Sequence, residues 1–386
     1  MTAAAAADAL QPPPGDSVPA RAARRPRNPQ PATRPMPTAC ILHAHARIGL
    51  VSERLEIRGR RDDPDAGPGE DVLREIPLRD LDRLILAESV HVTAPALAAL
   101  LRAGIPVNLL AWNGQFLGGF LPATNAHGRA RLRQYQRTLD PAFALQMAGR
   151  IVTAKLYNQR RVLQRLHASR QADAAPQPEI GNRKSEIENT LQWLDALFPT
   201  LSRSQSLDEL RGYEGAATAR YFQAWATFLP EEFPFEQRST RPPLNPVNAC
   251  ISFGATLLYH ETVAFIHAHG LDPALGLLHA TEDGRWSLAL DLLEPFRPVL
   301  IEALALDCFS HQILNARCFE PKNGGIYLND DGRRKFILQY ERRLERQFMS
   351  ESAGHRTTLR QQLEHQTVMF KSALELPEKF EPFLMN

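Results

Sequence analysis

Residues 206–228, SLDELRGYEGAATARYFQAWATF, decide how the larger part of this 386-residue chain folds. Ser206 followed by two acids reads as a helix start, because a hydroxyl accepts from orphan first-turn N–H groups and acids suit the positive end of the helix dipole. Beyond it Glu214, Ala217, Tyr221 and Trp225 recur at the spacing of one helix face, which sets a carboxylate within an apolar stripe. Gly212 and Gly215 flank that acid and leave room for another backbone or a ligand to come close. The plainer reading of Glu214 is an ordinary acid near a helix N-terminus.

Helical patterning continues outward to about Phe319. After the proline loop RPPLNPVN (241–248), ISFGATLLYHETVAFIHAHG (251–270) reads as a long apolar helix ended by Gly270. The stretch HATEDGRWSLALDLLEPFRP (279–298) then places His279, Asp291 and Glu294 among apolar residues. Positions three apart share a helix face, so Asp291 and Glu294 point the same way while Leu288, Leu292 and Phe296 turn to the core. Like charges held close repel unless a proton or cation lies between them. Pro295 and Pro298 cannot donate to the carbonyls of Asp291 and Glu294, so the helix either opens at the acidic pair or starts anew there. From the residues alone, a pinched helix end with exposed acids and a metal site fit equally. His260-Glu261 begins like a zinc-protease HExxH, but Ala264 stands where the second histidine belongs. His260 and His267, seven apart on one face, read as core-edge packing ahead of a second metal site.

Toward the N-terminus the texture changes to short alternating runs, ILHAHARIGLV, ERLEIRG and REIPLRDLDRLILAE, which predict strands. Thr93 caps a helix over PALAALLRAG ended by Gly104, and Asn113-Gly114 supplies a hairpin turn before QFLGGF. The fold class is therefore α+β: an Ala/Pro/Arg-rich leader at 1–37, expected to be disordered, with Met36 as an alternative start; a small β-rich domain at 38–122; a larger all-α domain at 123–350; and a C-terminal tail at 351–386.

The formal net charge is only +2, so attraction to nucleic acid has to come from local clustering. Residues 128–170 supply it: Arg129, Arg131, Arg133, Arg137, Arg150, Lys155, Arg160, Arg161, Arg165 and Arg170 face the single acid Asp140, interleaved with Tyr135, Asn158 and Gln159. This reads as a phosphate-contacting surface, against the alternative of a solvated helix face. A polar linker, 168–185, follows. Beyond it, KNGG (322–325) predicts a hairpin turn before a basic helix that holds Arg333, Arg334 and Lys335. Cys40, Cys250, Cys308 and Cys318 form no CxxC pair, which argues against a zinc ribbon and predicts reduced thiols in a cytoplasmic protein. No uninterrupted apolar run approaches the roughly 20 residues of a membrane helix, so no membrane partner is expected.

LRGYEGAATARYF, RPPLNPVNACISFGATLL, GLDPALGLLH and SLALDLLEPFRP, in that order, resemble the first Cas protein family, the CRISPR-associated endonuclease/integrase of the spacer-adaptation module. VTAPALAALLRAGIPVNLL and GGIYLNDDGRRKFILQYERRL extend the likeness over about residues 38–345. The resemblance implies a homodimer joined through the β domains and a Mg²⁺ or Mn²⁺ site made by Glu214, His279 and Glu294, with Asp291 shaping it. It further implies insertion of captured DNA fragments into a repeat array by phosphodiester transesterification, on double-stranded DNA and with the small second Cas protein as partner. Arg129, Arg131, Arg133, Arg160, Arg161, Arg220 and Arg297 are the expected DNA contacts, Arg297 also being one turn from Glu294 and able to pair with it. A transposon-type integrase or branched-DNA nuclease on the same fold, and a noncatalytic DNA-binding scaffold, are the alternatives.

Overall fold

Alternation over residues 47–59 builds the first hairpin. The computed structural model describes residues 38–41, 45–59, 71–111, 116–123, 127–173, 180–351 and 354–386. The expected disordered leader and the Asn113-Gly114 turn lie outside them. In chain order the N-terminal region holds β1 (Thr38–Ile41), β2 (Arg47–Val51), β3 (Arg54–Gly59), β4 (Asp71–Pro77), β5 (Arg83–Ala87), β6 (His91–Val92), α1 (Ala94–Arg102), β7 (Val107–Leu110) and β8 (Phe116–Phe120). β2 and β3 pair antiparallel with Ile48 opposite Ile57 and Leu50 opposite Leu55, so Ile48, Leu55 and Ile57 reach one buried layer. Two four-stranded sheets result, in orders β1-β5-β7-β8 and β4-β3-β2-β6. The parallel pairings of β1 with β5 and β5 with β7 make β5 a central strand, which is why Arg83, Leu84 and Leu86 are all buried. Thr93 Oγ1 accepts from the Ala96 N–H and Gly104 turns with φ +81°, as expected for α1.

The helical region runs through α2 (Gly128–Thr138), α3 (Pro141–Asp173), α4 (Ile180–Leu201), α5 (Leu207–Ala226) and α6 (Pro246–Ala268). α3 and α4 extend into both ends of the expected linker; 174–179 lie outside the described residues. On α5, Ser206 Oγ accepts from the Glu209 N–H, and Leu210, Ala217, Tyr221, Ala224 and Trp225 are buried. α6 starts on Asn245, whose side chain accepts from the Asn248 N–H. This helix is long and apolar enough to cross a membrane, which qualifies the expectation that no such segment exists. Its apolar window is 67% buried inside the fold, the position of a core helix.

After α7 (Ser287–Leu293) come a 3-10 turn (Glu294–Phe296), a π-helical turn (Arg297–Glu302) and α8 (Ala303–Ser310). The helix does open at the acidic pair, where the missing proline N–H groups force a change of hydrogen-bond pattern. The remaining elements are the hairpin β9 (Phe319–Lys322) and β10 (Gly325–Leu328), then α9 (Asp330–Glu345), β11 (Phe348–Ser350), β12 (His355–Thr357) and α10 (Leu359–Ala373). Asn323 and Gly324 turn the β9–β10 hairpin with positive φ, as the KNGG signal predicted.

The stretch expected as a C-terminal tail is instead part of the helical core, since Leu359, Leu363, Phe370, Phe380 and Phe383 are buried in it. Two separate apolar cores correspond to the β-rich and helical regions. They meet where Arg83 of β5 pairs with Glu261 of α6 at 3.5 Å and lies 3.9 Å over the Phe265 ring.

Candidate active site

Glu214 belongs to the apolar stripe of α5 but stands at its edge, with its side chain 24% exposed. Lys155 is on the buried face of α3, among Ile151, Val152 and Leu156. Its ammonium pairs with Glu214 Oε1 and with Glu294 Oε2, so one cation bridges carboxylates from two other elements. Thr218, one turn after Glu214, donates its hydroxyl to Glu214 Oε1 at 3.0 Å, and Gln159 of α3 donates to Thr218 at 3.2 Å. Glu214 is thereby held from two sides. Gly212 and Gly215 have nothing within 4 Å of where a Cβ would stand, so this wall is open as their sequence predicted.

Glu294 is 5% exposed and takes its second ion pair, at 3.1 Å, from Arg297 three residues on. Burial alone would raise its pKa, but Lys155, Arg297 and His279 outweigh burial and bring it down to about 2. Burial likewise opposes the charge of Lys155, yet Glu294 and Glu214 raise its pKa above the ordinary lysine value. Glu294 Oε2 has the Lys155 charge beside it and still lacks a well-directed hydrogen bond.

His279 comes from the loop before α7 and is 28% exposed. Its Nδ1 lies 2.6 Å from Asp291 Oδ1. Asp291 is fully buried and also accepts the backbone N–H groups of Leu277, Leu278 and His279. A carboxylate so used is an acceptor only, so Nδ1 donates its proton to Asp291 and Nε2 is the ring nitrogen left to meet another partner. The loop is folded tightly: a Cβ on Gly276 would lie 2.2 Å from the His279 carbonyl oxygen. Asp291 and Glu294 thus have different partners: the first holds the loop and the imidazole, and the second faces Lys155.

Among the described residues no group of three or more His, Cys, Asp and Glu side chains stands close enough to hold a metal. Between Glu214 and Glu294 the place of a cation is taken by the Lys155 ammonium. The donor types nevertheless fit Mg²⁺ or Mn²⁺: carboxylate oxygens from two elements, both already facing a cation, and an imidazole nitrogen that Asp291 does not use. Lys155 was legible only as one more charge in a basic run. Its signal was its place four residues after Ile151 on an apolar face, beside Asn158 and Gln159.

Much of the basic run binds acceptors within the protein, although only Lys155 of it is buried. Arg137 donates to Leu374 O, Arg150 to the carbonyls of Pro377, Glu378 and Phe380, and Arg165 to Asn386 O. Of the expected DNA contacts, Arg133 pairs with Glu375, Arg160 with Asp195 and Arg297 with Glu294, while Arg161 donates to Gln164. Each of these four has a partner within the protein, Arg133, Arg160 and Arg161 stay partly exposed, and Arg297 is turned towards Glu294. Arg220 lies over the Trp193 ring at 4.7 Å, and Arg129 is exposed at the start of α2 with Arg131 two residues later. In the basic helix, Arg333 donates to Leu328 O and Lys335 pairs with Asp331. The His260 and His267 rings both stand edge-on to Trp286, which is packing as expected. Cys250, Cys308 and Cys318 are buried free thiols.

A family model described as CRISPR associated protein Cas1 matches residues 40–342. The CRISPR-associated endonuclease Cas1 3 of Thermus thermophilus is 32% identical over 320 residues, 82% of this chain and 90% of that protein. A partial Cas6-RT-Cas1–Cas2 complex superposes with a TM-score of 0.65 at 26% identity, covering 91% of this chain and 100% of that one. A casposase bound to integration product shares the fold at a TM-score of 0.70 and 22% identity, covering 88% of this chain and 90% of that chain. The two layers of sequence motif, the β-rich and helical regions and the carboxylate-imidazole centre thus have one common explanation, and the chain belongs to the CRISPR-associated Cas1 family.

Proposed function

We propose that this protein is a metal-dependent DNA endonuclease/integrase that inserts captured DNA fragments into a CRISPR array by phosphodiester transesterification. The observation that carries the reading is the convergence of Glu214 and Glu294 on one cation beside the Asp291-oriented His279, all within the motifs of the family. Glu214, Glu294 and His279 would hold Mg²⁺ or Mn²⁺. When bound, that ion supplies a Lewis acid for the charge that develops on a transferring phosphodiester.

The protein's own groups prepare the centre. Thr218 and Gln159 fix the rotamer of Glu214. Lys155 and then Arg297 keep Glu294 ionised although it is buried. Asp291 holds the His279 ring by Nδ1 and so leaves Nε2 to face a ligand. A 3′ hydroxyl attacking in line gives strand transfer, and water at the same place gives cleavage. Double-stranded DNA is the substrate, a second copy joins through the β-rich domain, and the small second Cas protein completes the complex, as in relatives solved with it. The place of action is the cytoplasm.

Separate Glu214→Ala, His279→Ala and Glu294→Ala variants, checked for folding, are expected to lose Mn²⁺-dependent joining and cleavage of labelled DNA. Retention of both activities in all three defeats the assignment. Light scattering of the wild type is expected to give a dimer.

A further inference from the structure

We infer that Lys155 is the resident counterion of the centre, a tethered cation that holds Glu214 and Glu294 together until a divalent metal displaces it. The inference rests on the metal-site reading above and adds what occupies that place beforehand. Three observations carry it. The Lys155 ammonium is the one group paired with both carboxylates, whereas Arg297 pairs with Glu294 and not, in the described contacts, with Glu214. The neighbouring polar groups on the same face of α3 are committed elsewhere: Asn158 to Pro295 O, Phe383 O and Met385 N, and Gln159 to Thr218. Finally, the side chain is 4% exposed, so solvent does not neutralise the pair in its stead.

A lysine suits such a role better than an arginine. Its charge is compact, sits on a flexible four-carbon stem and is not locked to a carboxylate by a planar fork. The exchange breaks the Lys155–Glu214 and Lys155–Glu294 ion pairs and forms carboxylate–metal bonds, with no covalent change and no proton transfer. Two consequences follow. The metal-free centre does not spring apart by like-charge repulsion. Metal affinity is also lower than the same ligands would give alone, because the entering ion has to displace a buried cation.

The test is calorimetric titration of Mn²⁺ into the full chain, with thermal unfolding in the absence and presence of Mn²⁺, for the wild type, Lys155→Met and Lys155→Arg. Lys155→Met is expected to bind Mn²⁺ about ten-fold or more tightly than the wild type, because one buried competitor is gone. Its unfolding midpoint is expected to fall without Mn²⁺ and to recover with it, while Lys155→Arg keeps a midpoint near wild type. A Lys155→Met chain that folds only with Mn²⁺ is the same result in stronger form. One that fails to fold in both conditions, or that binds Mn²⁺ no more tightly than the wild type, overturns the inference while leaving the metal site standing. Absence of Mn²⁺ binding in both wild type and Lys155→Met removes the metal site and the inference together.

Discussion

Two clusters of buried charge lie on either side of the helical core, and only one of them has anything left to offer. At the joint with the β-rich region, Arg360 donates to Glu261 Oε1 at 2.6 Å and to Glu341 Oε2 at 2.9 Å, and it pairs with Glu345. Tyr340 donates to the other Glu261 oxygen at 3.1 Å, and Arg83 closes the group. Each oxygen of Glu261 faces a rigid guanidinium or phenol. At the active centre Glu294 is as deeply buried, but it is met by a flexible ammonium and keeps an oxygen with no directed donor, next to a half-open wall at Glu214 and His279. Burial of charge therefore does not separate a strut from a site. Saturation of the lone pairs does.

The sharpest way to break that distinction is to remove one carboxylate from each cluster. Glu261→Ala leaves Arg360 and Arg83 without their shared acceptor and is expected to cost about 3–5 kcal/mol in urea unfolding, with strand transfer by the folded fraction unchanged. Glu294→Gln is expected to invert the pattern: strand transfer falls about 100- to 1,000-fold, and the unfolding free energy moves less than for Glu261→Ala. Equal stability losses in the two would show that both clusters are struts. A smaller effect is expected at Asp291, which acts through His279. Asp291→Asn should weaken Mn²⁺ binding about 10- to 100-fold, read by calorimetry, because the imidazole loses the acceptor that sets its tautomer.

Graded with acidity, and small near neutrality, is the pH response of the protein without added metal. Burial brings His260 from 6.5 to about 3, so the unfolded chain takes a proton that the folded chain refuses, and stability is lost as pH falls from 6.5 toward 3. His267 and His365 are lowered by burial as well and contribute to the same range. Glu294, brought down to about 2, contributes stability that is complete above the unfolded value of 4.5 and is lost as pH falls from there through about 2. Urea midpoints measured from pH 7 to pH 3 are expected to decline in two stages, with the upper one reduced in His260→Gln. A decline confined to values below 4.5 would remove the histidines from this account.

What could be read from the sequence was what local rules govern. Ser206 caps α5, Thr93 caps α1, Asn323-Gly324 turn a hairpin, and Pro295 opens a helix, because each acts on backbone within a turn of itself. Glu214, His279, Asp291 and Glu294 stood out singly as acids or an imidazole in apolar surroundings, but the residues alone left a metal site and a pinched helix end even, and only the family resemblance joined them into one set. Lys155 was hidden because a charged residue on a basic helix reads as solvated, and its partner Glu214 is 59 residues away. Arg133, Arg137, Arg150 and Arg165 misled in the same manner, because their acceptors lie 221 to 242 residues later, on a segment whose own composition gave no hint that it docks. Parallel pairing of β1, β5 and β7 is likewise a long-range fact, invisible to alternation within a strand.

The Asn158 side chain binds the Pro295 carbonyl at the opened helix and, with the rest of its amide, Phe383 and Met385. Gln366 of α10 similarly donates to Leu292 O and accepts from the Phe383 N–H. Polypeptides are made from the N-terminus, so a ribosome that has passed Arg297 has already encoded every residue of the centre without having made the segment that seats it. A chain stopping before α10 would keep Glu214, His279 and Glu294 but lose the Gln366 amide that ties Leu292 to Phe383, so a segment synthesised later braces the opened helix.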